Sequence, residues 1–266
     1  MPIEDIHTMT LEQVDDQGST VLYKGAPGTG KTHNILTWPQ PIVGAYFDSN
    51  LMTLRNAMKA GVEVTPYFCK DWRQFADVFV PAVTNREIKA RTIFIDTLDP
   101  LGLKMQKDIQ GTRPRLTQAD FGTILNRWVD VMGQLVDSTK HSASGPGYNL
   151  VCSVHLKDVT DDNGSLLRVS PQLMGAFKDM LEQFFDWVLL CEASVVAKTV
   201  AGKSVFTKHY QVRTVPPTPQ HTCKGGGLPP VCGGTYTELM AAVEAELNTQ
   251  LEPMGKTEVL ATVSTE

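Results

Sequence analysis

The chain predicts an α/β fold with a mostly parallel sheet flanked by helices, and two segments carry that prediction. The first, Gly25-Ala26-Pro27-Gly28-Thr29-Gly30-Lys31-Thr32, fits G-x-x-x-x-G-K-[ST] at every fixed position. The second, Arg91-Thr92-Ile93-Phe94-Ile95-Asp96-Thr97, is a β-branched and aromatic run closing on an acid, as a buried central parallel strand does. Between and after them, apolar strand-like runs alternate with helical patterns, the order that builds parallel βαβ units.

The first segment is a P-loop in the setting the motif requires. Ser19-Thr20-Val21-Leu22-Tyr23 predicts a short buried strand before it, and from Lys31 a helix can run through Ile35 and Leu36 until Pro39 stops it. Glycines suit the loop because successive N–H groups must turn toward phosphate oxygens in a conformation that a Cβ would crowd. Gly25, Ala26, Pro27, Gly28, Thr29, Gly30, Lys31 and Thr32 thus form the expected cradle. Lys31 reaches the β- and γ-phosphates, the Thr32 hydroxyl holds Mg²⁺, and the helix aims its positive end at the anion. Asp96, emerging at the C-terminal end of its strand, is the expected Walker B acid. Thr32 and Asp96 are therefore the expected metal residues.

Composition sets the limits. At 266 residues and 42% hydrophobic content the chain can bury a full α/β core as one domain. No run of eighteen or more apolar residues occurs, and the acidic start Met1-Pro2-Ile3-Glu4-Asp5 lacks a signal-peptide pattern. A cytoplasmic protein without a membrane partner is expected. The cysteine count of five is odd, and Cys152 and Cys191 fall in apolar runs, so a disulfide framework is not expected. The net charge of −5 does not favour nucleic acid by bulk electrostatics, so DNA contact would come from local basic loops.

The remaining elements follow in order. Strands are expected over Pro41–Phe47 and Val62–Phe68, with helices over Leu51–Ala60 and Trp72–Val83. After Asp96, Leu101–Arg115 mixes Lys104, Lys107, Arg113 and Arg115 with Gly111 and Pro114, and reads as a basic, poorly packed excursion able to touch a polyanion. Phe121, Ile124, Leu125, Trp128, Val129, Met132, Leu135 and Val136 recur at helical spacing and predict the core face of a long helix. His141–Tyr148 is a loop into the strand Asn149–His155. Leu166–Val169 and Phe185–Cys191 are strand-like around an amphipathic helix from Met174 to Phe184. Ser194–Val200 and Ser204–Val212 flank Ala201-Gly202-Lys203 as a hairpin, which adds antiparallel strands at the C-terminal end. A Pro/Gly-rich stretch, Pro216–Gly234, precedes a closing helix, Tyr236–Leu247.

This order resembles the phage RecA-like ATPases of the Sak-four type. The resemblance rests on the P-loop, the strand ending Asp96-Thr97, the strand ending His155-Leu156-Lys157, and Pro171-Gln172-Leu173-Met174-Gly175 leading to Phe185-Asp186-Trp187-Val188, with a hairpin after it. It implies a RecA-like P-loop NTPase core over residues 20–247, after an N-terminal segment of residues 1–19; the tail of residues 248–266 lacks a buried pattern and is expected to be disordered or partner-bound. The resemblance also implies ATP with Mg²⁺, homo-oligomers that share ATP between neighbours, and work on single-stranded DNA in recombination, repair or annealing. Single-strand DNA-binding or other recombination proteins are the implied partners, and a bacterial host cytoplasm the implied location. No N-K-x-D sequence follows Asp96, which argues against a GTPase.

Residue by residue, the resemblance places His155 where RecA-like enzymes sense the γ-phosphate, a satisfied strand-end histidine being the alternative. The loop from Lys157 to Arg168 takes the place of a DNA-facing loop, yet carries Asp158, Asp161 and Asp162. Asn50 stands where a glutamate usually orients the attacking water, and an amide cannot take the proton, so slow turnover is expected. Asp48 is a possible substitute, with a helix N-cap as its other reading. Lys224 occupies the first place of a motif that reaches a neighbour's phosphate, with Gly226 where its arginine would stand and Arg213 a possible replacement. His221, Cys223 and Cys232 lie close enough in sequence to suggest zinc, without C-x₂-C spacing. The alternative function is a slow ATPase switch or assembly protein that recruits proteins without touching DNA.

Overall fold

The computed structural model describes residues 16–48, 50–140, 145–200 and 203–251. Its centre is β1 (Thr20–Gly25), buried along its whole length and paired in parallel on both sides, with β5 (Asn149–Thr160) and β7 (Trp187–Val200). Beyond β5 come β4 (Thr92–Asp96), β2 (Ile42–Tyr46) and β3 (Val64–Tyr67), all parallel. Past β7 the sheet turns antiparallel through β8 (Lys203–Arg213) and β10 (Val231–Cys232). β6 (Leu166–Pro171) hairpins onto β5, and the short β9 (Lys224–Gly225) pairs with the start of β7. The order β10-β8-β7-β1-β5-β4-β2-β3, with the P-loop strand and the Asp96 strand separated by β5, is that of a RecA-like P-loop NTPase core.

The alternation of the central strands explains the layers. Leu22, Ile93, Ile95, Leu150 and Cys152 face one core, while Val21, Tyr23, Phe94 and Val151 face the other. On the first face lie a π-helical turn (Gln74–Phe79) running into α3 (Val80–Thr84), then α4 (Leu98–Gln110) and α5 (Gln118–Asp137). On the second lie α1 (Lys31–Ile35), α2 (Met52–Lys59) and the closing α7 (Tyr236–Leu251). Near-continuous apolar strands are required because both faces are covered.

Two expectations need correction. Leu101–Arg115 is no loose excursion, since α4 spans its first part and buries Leu98, Leu101, Gly102 and Met105. That spacing of three, one and three residues is a helical stripe which the flanking Gly111 and Pro114 disguised. Two of its four cations are also engaged: Lys104 donates to the Lys70 carbonyl at 2.6 Å, and Arg113 pairs with Asp120 at 2.9 Å beside the Thr117/Asp120 capping box of α5. The helix expected over Met174–Phe184 is one α turn, α6 (Phe177–Met180), followed by a 3₁₀ turn (Leu181–Phe184). Phe177 there stacks on Trp128 of α5 with centroids 4.8 Å apart, so a tertiary contact fixes the short element.

Elsewhere the segment from Phe185 and the hairpin arm from Ser194 are one strand, β7. α7 runs on to Leu251. Most of the predicted stripe of α5 is core, although Phe121 and Val129 are exposed and Val131 is buried instead. The expected tail beyond residue 251, the segment before residue 16, residues 141–144 of the 141–148 loop and the tip of the β7–β8 hairpin lie outside the described residues. Among the described residues, no helix is long and apolar enough to cross a membrane. Cys69, Cys152, Cys191, Cys223 and Cys232 are all free thiols.

Candidate functional site

Strand register assembles the site. Gly25 on β1 stands opposite His155 on β5, Ile95 on β4 opposite Cys152, and Tyr46 on β2 opposite Asp96. Four parallel strands thus deliver the P-loop, His155, Thr97, Asp48 and Asn50 to one cleft of about 410 Å³, with Asp96 buried just behind Thr32.

The P-loop needs its glycines here. Gly30 has a φ of 92°, and a Cβ on it would lie 2.7 Å from the Tyr210 ring. A Cβ on Gly25 would lie 2.7 Å from the Cys191 carbonyl oxygen. Lys31 is 5% exposed and donates to the carbonyls of Gly25 and Ala26, each at 2.9 Å. Burial lowers its pKa, against the pull of nearby Asp96, Asp99 and Asp48.

Asp96 is 1% exposed and receives two hydroxyls: Thr32 Oγ1 donates to its Oδ2 at 2.7 Å, and Ser153 Oγ to its Oδ1. Burial pushes this carboxyl up, and the two hydroxyls offset only part of the effect. A hydroxyl and a carboxylate in contact are the hard oxygen donors Mg²⁺ takes when water and phosphate complete its octahedron. Thr32 and Asp96 therefore fit the ion. Beside them Thr97 Oγ1 is buried at the cleft wall, next to the Asp99 carboxylate without completing a hydrogen bond to it. A water of a metal shell would satisfy such a group.

His155 is fixed by a residue that sequence reading missed. Asp99, in the first turn of α4, lies 3.0 Å from His155 Nδ1 through Oδ2 and accepts the His155 backbone N–H at 3.1 Å through Oδ1. Burial pushes the Asp99 carboxyl up, but the His155 side-chain and backbone hydrogen bonds outweigh it and hold the group below the ordinary carboxylate range. With Nδ1 engaged, Nε2 is the ring nitrogen left to face a ligand. The signal was an acid three residues past Asp96 on the helix that leaves the same strand.

Asn50 and Asp48 both line the cleft. Asn50 Oδ1 accepts the Met52 N–H at 3.1 Å at the start of α2, so Asn50 rather than Asp48 serves that helix end. Asp48 Oδ1 accepts the Asn50 N–H at 3.0 Å, and Tyr46 donates its hydroxyl to the Asn50 carbonyl at 2.6 Å.

Other candidates stand apart. Lys224 is level with Val188, toward the opposite edge of the sheet from the P-loop, and donates to the Phe185 carbonyl at 2.7 Å. Arg213 pairs with Glu192 at 2.7 Å. Among the described residues no group of three or more His, Cys, Asp and Glu converges as a metal site, and His221 Nδ1 is 3.0 Å from Thr218 Oγ1. Two residues unforeseen from sequence, Lys208 and Tyr210 of β8, line the cleft.

No curated protein matches the chain in sequence. In fold it is similar to the flagellar accessory protein FlaH from Methanocaldococcus jannaschii, with a TM-score of 0.36, 11% identity, and coverage of 78% of this chain and 90% of that one. The family model described as "AAA domain" matches residues 17–224, a span that holds the P-loop, Asp96 and His155, and the chain belongs to the AAA domain family.

Proposed function

We propose that the chain binds ATP with Mg²⁺ in the P-loop cleft, hydrolyses it slowly, and acts as a homo-oligomer on single-stranded DNA in recombination, repair or annealing. The observation that carries the nucleotide part is the convergence of buried Lys31, half-buried Thr32 and buried Asp96 at 2.7–2.9 Å contacts on one strand edge. Lys31 exchanges loop carbonyls for phosphate oxygens, and Thr32 and Asp96 hold the metal. Bound there, Mg²⁺ neutralises charge building on the phosphoryl oxygens. His155, oriented by Asp99, faces the terminal phosphate, and Asn50 positions water without removing its proton.

The DNA part is supported by the order of motifs shared with phage RecA-like ATPases. A second reading, a nucleotide switch that recruits proteins, is favoured by the β5–β6 hairpin. Asp158, Asp161 and Asp162 crowd its end, Asp161 caps the turn through the Ser165 N–H at 2.7 Å, and Arg168 is paired with Asp179 at 2.8 Å. Steady-state ATP hydrolysis with and without single-stranded DNA separates the two. Severalfold stimulation is expected. Unstimulated hydrolysis with intact nucleotide binding selects the switch, and Lys31→Ala, expected to lose at least about tenfold in nucleotide affinity while keeping its fold, is the control.

A further inference from the structure

Beyond Leu190, β7 leaves its parallel partner β1 and continues with β8 alone, which carries the hairpin past the P-loop. Lys208 and Tyr210, on the same face of β8, meet the loop there. Lys208 Nζ donates to the Gly28 carbonyl at 2.6 Å and lies 5.2 Å from the centre of the Tyr210 ring. Tyr210 rests against Gly30 and stacks at 6.3 Å with His33, the residue after Thr32. Among the described residues, no carboxylate pairs with Lys208. The cleft is thus flanked by ammonium groups from two elements, Lys31 from within the loop and Lys208 from the hairpin, both held on neutral loop carbonyls.

A neutral carbonyl is the weaker partner for an ammonium ion. Hydrogen bonds to an anionic oxygen are roughly twice as strong, and lysine is a compact point charge on a flexible stem. Four methylenes let the exposed Lys208 head move from Gly28 to a phosphate oxygen in the same cleft while β8 stays paired with β7. We propose that Lys208 is a phosphate-contacting residue supplied by the chain's own β7–β8 hairpin, which engages the terminal phosphate of a nucleoside triphosphate and so distinguishes it from the diphosphate. The inference rests on the P-loop binding nucleotide, as proposed above. It ties the hairpin to the phosphate state of the site through one side chain.

The test is equilibrium binding of fluorescent ATP and ADP analogues, with Mg²⁺, to the parent, Lys208→Ala, Lys208→Arg and Lys31→Ala proteins. Lys208 is exposed, and thermal melting of each variant confirms the fold. Lys208→Ala is expected to lose about tenfold or more in ATP affinity, the scale of one charge-assisted hydrogen bond, with ADP affinity close to the parent's. Lys208→Arg is expected to recover most of the ATP preference. Unchanged ATP affinity in Lys208→Ala, or an equal loss for ATP and ADP, would overturn the assignment while the P-loop reading stands. A parent that binds neither nucleotide, or a Lys31→Ala variant that binds as the parent does, would overturn both.

Discussion

Asp96 is the residue at which stability and function conflict. Its carboxyl is held above its ordinary value by burial, so ionisation costs folding free energy once pH rises past the ordinary carboxylate range. Asp96→Asn removes that cost and can keep the hydroxyls of Thr32 and Ser153 as partners. In the absence of nucleotide the variant is therefore expected to melt a few degrees above the parent at pH 7, with the difference closing below about pH 4, where the acid is protonated folded and unfolded alike. With Mg²⁺ and ATP the order should reverse, because only the parent gains stability from the metal-bound nucleotide. Melting scans across pH, with and without ligand, read both effects; a variant less stable than the parent at neutral pH without ligand would contradict the burial argument. Asn50 gives the complementary experiment. Its amide is half committed to the α2 start, so Asn50→Glu, one methylene longer, is expected to keep that end and raise turnover toward the hundredfold that a positioned base contributes. No gain in rate would move the role to Asp48.

At the scale of elements, the junction of β4, α4 and β5 forms one wall of the P-loop cleft, and the Asp99–His155 contact locks it. Asp99→Asn weakens hydrogen bonds made to a charged acceptor and should destabilise the protein by about 1–3 kcal/mol at neutral pH. Because the folded carboxyl is depressed, its contribution is full above the ordinary carboxylate pKa and lost as pH falls through the lower folded value. The gap between parent and variant in melting temperature should therefore narrow in acid, opposite in sign to the Asp96 case, and a gap that widens there would refute the pairing. The same junction shows what sequence could not convey. The P-loop, Asp96 and the parallel part of β5 up to His155 were legible because each has a motif or an apolar run of its own; that β5 runs on to Thr160 as a hairpin arm, where a loop was expected from Lys157, was not. Asp99 was not, since its partner lies 56 positions away and meets it only through the β4–β5 register. α4 was misread for a local reason: the punctuation of Gly111 and Pro114 outweighed a buried stripe that only the packing of α5 makes evident. Lys208 and Tyr210 read as an ordinary hairpin strand, because nothing in their spacing tells that β7 carries β8 over the loop.

For the whole molecule, the mostly parallel sheet with antiparallel C-terminal strands was legible because alternating strand and helix patterns leave few topologies once the P-loop and Asp96 strands are placed. Assembly was not, since a surface lysine looks the same in sequence whether it meets solvent or a neighbour. Lys224 brings that question to one residue. Its ammonium is held by the Phe185 carbonyl, toward the opposite edge from its own P-loop, so a phosphate role for it requires another copy of the chain. If ATP is shared between protomers, Lys224→Ala should weaken ATP-dependent assembly, read as particle size with ATP and single-stranded DNA, while an isolated subunit keeps its nucleotide affinity. Losing the Phe185 contact alone would lower melting temperature without changing assembly in proportion. Mixing Lys224→Ala with Lys31→Ala subunits separates these causes. An interface that joins an intact P-loop to an intact Lys224 should recover hydrolysis that neither variant shows alone, whereas a structural lysine gives no recovery. Failure of the mixture despite confirmed co-assembly would leave each subunit to serve its own nucleotide, with Lys208 as the cation that completes the site from within.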